Sequence, residues 1–289
     1  MSSMRSIKQR IENVSSVEQI IKAMDMVAST KLVRSRAQLE GVRPIYNKLK
    51  TSVEEVGAKE DAKTNIFYDQ RQAKKSLYII LTGNRGLAGG YNTNISKKAL
   101  EHMNQGKNER VIVVGSKGYE FFIMNNKNIV HSIVDVSDEN VYYGSENLAN
   151  KAIDLYLSGD VEEVFVAYTR FKNILTQEPT IEKILPIKPN EIKKAQAKEI
   201  KYEPSLKEYI SHMVPLYMHM NLFRTFSEAH TSELAARMVN MDAAGKNAEE
   251  ILEDLNRLYN RKRQASITQE LSEIVGSVSV LNKGGLDDV

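Results

Sequence analysis

The chain has no cysteine among its 289 residues. That absence excludes a disulfide framework, zinc sites built on cysteine, and catalysis by a thiol. Long apolar runs are also missing, because no stretch approaches the roughly 18 consecutive apolar residues of a membrane-spanning helix. The N-terminal segment places Lys8, Arg10 and Glu12 inside an amphipathic pattern. We therefore expect neither a signal peptide nor direct membrane insertion.

An excess of charge of one sign is missing too. The 40 basic and 37 acidic residues give a net charge of +3, and the two signs are interspersed rather than sorted into blocks. A dedicated nucleic-acid binder carries a concentrated basic face, so this class is disfavoured. With 42% hydrophobic residues, the chain is instead expected to fold around a sizeable core, with room for an extended element.

Proline is scarce in the C-terminal part, where Pro215 is the one proline between Leu206 and Val280. A continuous helix of this length would extend roughly 110 Å at 1.5 Å per residue. Ordinary helices have about 11 to 12 residues, and much longer patterns are typical of coiled coils, membrane spans or helical repeats. We predict a long C-terminal helix over residues 206–281.

A second long helix is predicted at the N-terminus, over residues 1–57. Gly41 and Pro44 predict a kink in this helix. Its apolar residues recur at spacings of three, four or seven, which is typical of a helix paired along its length. This stripe comprises Ile7, Ile11, Val14, Ile21, Met24, Ala28 and Leu32.

The C-terminal segment has a matching apolar stripe, and the two ends are expected to form one antiparallel coiled coil. The N-terminal helix is the long partner that the sequence offers for burying this stripe. Small members of the stripe would let the helices approach closely. The stripe comprises Met213, Met220, Phe223, Phe226, Leu234, Met238, Met241, Ala244, Ala248, Ile251, Leu255 and Leu258.

Between the helices, residues 76–187 predict a Rossmann-like α/β domain with a mainly parallel sheet. Residues 58–75 are interpreted as a linker and 188–205 as a connector, because both are polar. Apolar runs that are typical of buried strands alternate with helical patterns. The predicted strands are Leu77–Leu81, Arg110–Val114, Ile129–Val136 and Val164–Phe171, and the predicted helices are Thr93–Met103, Tyr119–Met124 and Glu146–Leu157.

A glycine-rich loop follows the first predicted strand and contains Gly83, Gly86, Gly89 and Gly90. Such loops can bring backbone amides close to a phosphate. This spacing matches neither the dinucleotide fingerprint nor the Walker A pattern, so a tight structural turn is the preferred interpretation. The later sequence GSKG is likewise interpreted as a turn from strand to helix. A nucleotide-binding enzyme built on this domain stays open as an alternative.

Catalytic and metal-binding patterns are not recognisable in the sequence. The histidines show neither metalloprotease spacing nor a nucleophile motif. Asp138 with Glu139, and Asp287 with Asp288, could bind a cation weakly, but adjacent carboxylates more often cap helices or face solvent. We expect no catalytic residue, no metal site and no cofactor, so an enzyme interpretation would rest on the fold outline alone.

Three regions together resemble the gamma subunit of F-type ATP synthases. They are IIKAMDMVASTKLVRSRAQ at 20–38, TGNRGLAGGYNTN at 82–94, and SELAARMVNM at 232–241 with YNRKRQASITQELSEIVG at 259–276. The resemblance spans nearly the whole chain in the same order. It implies a non-catalytic central rotor that transmits torque between a membrane rotor ring and a catalytic ring, and so couples ion flow to ATP synthesis or hydrolysis.

The resemblance also implies partners and contact residues. The partners are the alpha and beta subunits of the catalytic ring, the epsilon subunit and the membrane c-ring, and the location is peripheral, at the cytoplasmic face of the cell membrane. Nucleic acid is not an expected partner. The implied contacts between shaft and ring are Lys22, Met24, Arg34, Arg36, Arg237, Arg263, Gln264, Thr268, Gln269, Ile274 and Val275.

The sequence departs from the family pattern at three places. Asn84 stands where relatives usually have an acidic residue, Pro215 falls where they continue a helix without proline, and residues 282–289 extend beyond their usual end. We expect a bend near Pro215 and a flexible tail over 282–289. The expected bend and the altered C-terminal end keep open a second function, a gamma-like shaft in an F-type-derived motor used for other mechanical work.

Overall fold

The computed structural model describes residues 4–70, 72–103, 108–134, 141–189, 202–203 and 205–284. Two of its helices far exceed the rest in length, at 54 and 79 residues. In chain order the elements are α1 (Met4–Gly57), a 3-10 turn (Glu60–Ala62), β1 (Lys75–Leu81), α2 (Tyr91–Met103), β2 (Asn108–Val114), α3 (Ser116–Met124), β3 (Ile129–Ile133), α4 (Val141–Leu157), β4 (Glu163–Phe171), β5 (Gln177–Leu185) and α5 (Leu206–Gly284).

The five strands form one sheet in the order β3-β2-β1-β4-β5. The first four are parallel, because a helix connects each to the next, which confirms the predicted α/β class. β5 was not predicted, and it pairs antiparallel with β4. It carries Pro179, which lacks the amide proton for a ladder bond, and β5 lies at the sheet edge, where such a residue is tolerated.

Both long helices continue through their prolines. Pro44 lies inside α1 and Pro215 inside α5, and the helical assignment is unbroken on either side. α5 extends to Gly284, three residues past the predicted end at Leu281. Within the described ranges, no helix is both long and apolar enough to cross a membrane.

The chain divides into two compact units, the larger formed by residues 27–240. In this unit α2 and α3 pack on one face of the sheet, against Tyr78 and Ile80 of β1. The opposite face, with Leu77 and Ile79, packs on α4 and on the segment of α5 around Met218. Neighbouring residues of β1 thus point into two cores, because side chains alternate across a strand.

The predicted linker 58–75 contains well-packed side chains. Phe67 and Tyr68 are buried in the larger core, and the rings of Phe67 and Tyr156 stack with centroids 5.9 Å apart. The Tyr156 hydroxyl donates a hydrogen bond to the Ile66 carbonyl (2.8 Å), and the Ile187 amide donates to the Phe67 carbonyl (2.7 Å). This segment therefore belongs to the folded core. Of the predicted connector 188–205, residues 190–201 and 204 lie outside the described residues.

The smaller unit comprises residues 1–26 and 241–289. Ile7 of α1 and Met241, Ala248 and Leu255 of α5 are buried, as the stripes predicted. Gly245 faces Ile21, and a Cβ there would lie 3.7 Å from the Ile21 Cγ2, an ordinary van der Waals contact. Two members of the predicted α5 stripe are instead exposed, and these are Ile251 (48%) and Leu258 (38%).

Candidate functional site

The paired long helices are the candidate functional site. In the larger unit, the Ser35 and Thr231 hydroxyls are 2.7 Å apart, and Arg43 lies 2.6 Å from Glu228. The Asn221 amide donates to the Tyr46 hydroxyl at 3.1 Å. As residue numbers rise on α1 they fall on the facing part of α5, so the helices are antiparallel here.

The smaller unit shows the same direction of pairing. Ile21 faces Gly245, and Lys22 binds Glu249 at 2.9 Å. Lys22 also binds Glu18, one turn earlier on its own helix, at 2.6 Å. These two carboxylates raise the pKa of Lys22 to about 12, so this predicted contact residue stays charged at neutral pH.

A network of charged and polar side chains is buried in the larger unit, around Arg224. Arg224 is 7% exposed and Glu228 is 3% exposed. The Arg224 guanidinium binds Glu182 at 2.8 Å, Glu228 at 3.0 Å and the Tyr168 hydroxyl at 3.0 Å. We call this set the Arg224 network; its members are Arg43, Tyr46, Tyr168, Glu182, Asn221, Arg224 and Glu228.

The Arg224 network keeps its charges because opposite charges meet within it. Burial alone would lower the pKa of Arg224, but Glu182 with Tyr168 and Tyr46 outweighs burial and raises it. Burial would likewise raise the pKa of Glu182, yet Arg224 outweighs it and the pKa lies below its ordinary value. Burial raises the pKa of Tyr46, which therefore remains a neutral hydrogen-bonding group.

Helix α5 covers the glycine-rich loop at the carboxyl end of β1. The Tyr91 hydroxyl donates to the Ala229 carbonyl at 2.9 Å, and Ser232 of α5 donates to the Thr169 carbonyl of β4 at 2.9 Å. A Cβ on Gly83 would lie 2.6 Å from the Glu233 carboxylate. Glycine at this position leaves room for the Glu233 side chain of α5, in agreement with the structural interpretation of the loop.

This arrangement leaves little room for a nucleotide. In open α/β sheets, ligands bind where the strand order reverses, here between β1 and β4. The two cavities beside the loop have volumes of about 130 Å³ and 60 Å³, whereas ligand sites usually need roughly 300 Å³ or more. The alternative of a nucleotide-binding enzyme therefore finds no support at this end of the sheet.

Asn84 joins the glycine-rich loop to the GSKG turn. Its side-chain oxygen accepts a hydrogen bond from the Ser116 amide at 3.1 Å, and the Ser116 hydroxyl donates to the Asn84 carbonyl at 2.8 Å. The neutral side chain of Asn84 thus supplies the acceptor that the backbone N–H of Ser116 needs at the start of α3. The change from strand to helix occurs at Gly115, and the rest of the predicted GSKG turn, Ser116–Gly118, lies in α3, which begins three residues before the predicted start at Tyr119.

Metal sites are not apparent where the structure describes the chain: in those ranges, no three His, Cys, Asp or Glu side chains are grouped to hold an ion. Asp138, Glu139, Asp287 and Asp288 lie outside the described residues.

The predicted contact residues of α1 lie mostly on its outer surface. Lys22, Arg34 and Arg36 are exposed, and Met24 is half-buried. Arg36 pairs with Glu40, one turn away, at 2.9 Å. Arg34 and Arg36 belong to the larger unit, and Lys22 and Met24 to the smaller one.

Most of the predicted contact residues of α5 lie near its C-terminal end and are exposed: Arg263, Gln264, Thr268, Gln269, Ile274 and Val275. Thr268 and Gln269 bond within the helix, to the Gln264 carbonyl (2.9 Å) and to Glu273 (3.0 Å). Arg237 differs, because it belongs to the larger unit, is only partly exposed and pairs with Glu233.

An exposed apolar stripe on this end of α5 was only partly foreseen. Ile267, Leu271 and Val278 are 48%, 58% and 52% exposed, and Ile274 between them is 59% exposed. Their spacing of four, three and four residues places them on one face of the helix. That helical period was visible in the sequence and could have identified Ile267 and Leu271.

Removal of one hydroxyl should test the pairing of the long helices. Ser35→Ala is expected to lower the free energy of unfolding by about 1 kcal/mol, because Thr231 loses a buried hydrogen-bond partner. A double-mutant cycle with Thr231→Val, read from urea unfolding of the full-length chain, measures the coupling.

Ser16→Ala is the matched control. Ser16 is exposed, and its hydroxyl bonds the Glu12 carbonyl of the same helix. We expect its effect to stay within about 0.5 kcal/mol. Equal effects of the two substitutions would show that Ser35 and Thr231 do not stabilise the pairing.

Together these observations define a class of protein: two long helices that pair antiparallel within each compact unit, and an α/β domain whose ligand crevice is covered by the second of these helices. Comparison with known proteins specifies the family. A family model described as ATP synthase matches residues 3–281. The chain is 39% identical to the ATP synthase gamma chain of Ruminiclostridium cellulolyticum over 292 residues, covering 97% of this chain and 99% of the relative. This chain belongs to the ATP synthase gamma chain family, whose members are non-catalytic stalk subunits.

Other relatives agree with this assignment. The sodium-ion-specific ATP synthase gamma chain of Acetobacterium woodii is 35% identical, covering 96% of this chain and 98% of that protein. The fold is similar to a chain in the cryo-EM structure of the Euglena gracilis mitochondrial ATP synthase, OSCP/F1/c-ring, in rotational state 3. That match has a TM-score of 0.68 and 19% identity, and it covers 98% of this chain and 96% of the other.

Proposed function

We propose that this chain is the central rotor subunit of an F-type ATP synthase and that it carries torque between a membrane ion-driven ring and the catalytic alpha/beta ring. Its family membership supports this role, as does a solved relative of similar fold described as central stalk and c-ring of the Tetrahymena thermophila enzyme (TM-score 0.62). The observation that carries the proposal is the pair of antiparallel long helices on a domain whose ligand crevice is filled.

The C-terminal part of α5 suits a shaft that turns inside a ring. A shaft meets three chemically equivalent surfaces in turn, so an apolar surface that makes few directional bonds can slide past them. The exposed stripe of Ile267, Leu271, Ile274 and Val278 has this character. We place this stripe, with Val275, inside the catalytic ring.

The charged and polar contact residues have a different role in this proposal. Five of these residues are exposed and can bind one ring conformation more tightly than another at each angle of the rotor. They are Lys22, Arg34 and Arg36 on α1, and Arg263 and Gln264 on α5. Differences in affinity between conformations are what couple rotation to nucleotide binding. Met24, Arg237, Thr268 and Gln269 complete the proposed contact set.

The α/β domain forms the foot of the rotor in this proposal. We place it against the epsilon subunit and the c-ring, at the cytoplasmic face of the membrane, with the chain bound peripherally.

Purification of the native complex tests the function. We expect three copies each of two larger subunits with one copy of this chain, together with a membrane rotor ring, identified by mass. A chain that purifies alone would contradict the proposal. A complex that holds the catalytic ring but no membrane ring would favour the alternative, a motor used for other work.

Deletion of Asn282–Val289 tests whether the C-terminal extension is peripheral. The residues that we place inside the ring end at Val278, before this segment, so we expect the shortened chain to assemble with the ring as the full chain does. Yield of the purified complex is the measurement. Loss of assembly would assign the extension a direct role in the ring.

A further inference from the structure

We propose that the Arg224 network is the joint that transmits torque between the α/β domain and the two long helices. This inference rests on the proposed rotor function. It identifies Arg224 and Glu182 as positioning residues that hold the domain at a fixed angle to the shaft, at the level of the larger unit.

The network connects four elements through one carboxylate. Glu182 of β5 binds Arg224 of α5 at 2.8 Å and accepts hydrogen bonds from Tyr168 of β4 and Tyr46 of α1, both at 3.2 Å. Glu228 of α5 binds Arg224 and, at 2.6 Å, Arg43 of α1. A rotation of either helix against the sheet therefore strains several of these bonds at once.

Directional bonds resist such a rotation better than apolar contacts do. Apolar burial is non-directional, so it opposes separation of two surfaces more than sliding between them. A guanidinium donates from a rigid planar fork, and its bonds weaken steeply when their angles change. Arg224 also lies over the Tyr46 ring, 4.3 Å from its centroid, which restricts the plane of the guanidinium further.

Burial distinguishes this network from the exposed ion pairs of the domain. Lys117 and Glu120, for example, pair at 2.8 Å with 40% and 58% of their side chains exposed. Water and salt weaken such pairs. The side chains of Arg224 and Glu228 are only 8% and 4% exposed. Because water and salt have little access to these bonds, they should keep their geometry when torque acts on the chain.

Four further hydrogen bonds among the described residues join the long helices to the domain, and one of them is the bond that the Tyr68 hydroxyl donates to the Val53 carbonyl of α1 at 2.9 Å. Arg43 donates to the Phe171 carbonyl at 3.1 Å, Tyr91 to the Ala229 carbonyl, and Ser232 to the Thr169 carbonyl. The other three bonds run from Arg224 to Glu182, from Arg224 to Tyr168, and from Tyr46 to Glu182. The double variant Arg224→Met with Glu182→Met removes these last three of the seven described bonds.

A measurement of torsional stiffness in the assembled complex tests the joint. The chain lacks cysteine, so Met124→Cys, at a position 81% exposed on α3, allows one rotation probe to be attached to the domain. With the catalytic ring held by a non-hydrolysable nucleotide, the angular variance of the probe reports the stiffness. If the seven described bonds act in parallel with similar strength, the double variant keeps four of them and should show about 1.75 times the variance of the parent.

Controls separate stiffness from folding. Lys117→Met, which removes an exposed ion pair of the same domain, should leave the variance unchanged. Tyr46→Phe keeps the buried ring but removes the Tyr46 hydroxyl, and it should give a smaller increase than the double variant. Full thermal stability of the double variant together with a raised variance would distinguish a joint from a merely structural ion pair.

Each outcome bears on one proposal. An unchanged variance in both the double variant and Tyr46→Phe, in correctly assembled complexes, overturns the joint and leaves the rotor function intact. If the double variant does not assemble, the Tyr46→Phe result alone decides. Failure of the parent chain to enter a ring complex would instead contradict the rotor function.

Discussion

Arg224→Met is expected to lower the free energy of unfolding by about 3 to 5 kcal/mol, because it removes one partner of a buried ion pair. Glu182 would lose its guanidinium while it remains largely buried, and Glu228 would keep only Arg43. Urea unfolding of the full-length chain, followed by tyrosine fluorescence, measures the loss. The chain has 13 tyrosines and no tryptophan, so this signal reports the unfolding of the chain as a whole.

The free energy of unfolding that Arg224→Met loses should depend on pH, and the pKa of Glu182 gives the direction. In the parent chain the pKa of Glu182 is lowered, so its stabilising effect is present above its ordinary pKa and is lost as the pH falls through the lowered value. Without Arg224, burial favours the protonated acid instead. The variant should therefore be weakened most at neutral pH, and the difference from the parent should shrink in mildly acidic solution.

A second substitution should restore stability. Glu182→Met, added to Arg224→Met, removes the unpaired charge, and apolar replacements of buried ion pairs are often neutral or stabilising. We expect most of the lost stability to return. A double variant as unstable as Arg224→Met alone would show that packing, rather than the uncompensated charge of Glu182, causes the loss.

Gly115→Ala is expected to destabilise the fold by about 3 kcal/mol, because two costs add. Gly115 has a φ of +94°, a conformation that side chains rarely adopt. A Cβ there would also overlap the Thr82 carbonyl oxygen, which is backbone and cannot swing away. Thermal unfolding of the purified variant measures the effect.

Gly144→Ala is the control for this prediction. Gly144 lies in α4, its φ is not positive, and an added Cβ would meet no atom within 4 Å. Alanine there should be neutral or stabilise the helix by about 0.5 to 1 kcal/mol. Equal losses at the two glycines would show that the turn before α3 does not require glycine.

Local patterns predicted the elements of this fold well because they depend on neighbouring residues. The apolar stripe that includes Ala28 and Leu32 predicted a paired long helix, and both residues are buried. Alternating strands and helices predicted the parallel sheet. The antiparallel β5 was missed although Thr180–Leu185 is rich in strand-forming residues, because Pro179 and the charged residues weaken that signal.

The candidate site was predictable only where it lies on one helix surface. The exposed positions of Arg263 and Ile274 follow from their place on a helical period. The Arg224 network did not follow, because Arg224 and Glu182 are 42 residues apart and Arg43 and Glu228 are 185 apart. The one local hint was the spacing of four between Arg224 and Glu228, which many exposed helical pairs share.

The sequence by itself determined the two long helices, the α/β order between them, the lack of thiol chemistry and the resemblance to a rotor subunit. Only the tertiary structure decided that α5 fills the crevice where an α/β domain would bind a nucleotide, and that buried charges fasten the domain to both helices. The physical reason is distance along the chain. The spacing of apolar residues indicates which face of one segment is buried. Burial of a charge depends instead on partners that the fold brings together from remote segments.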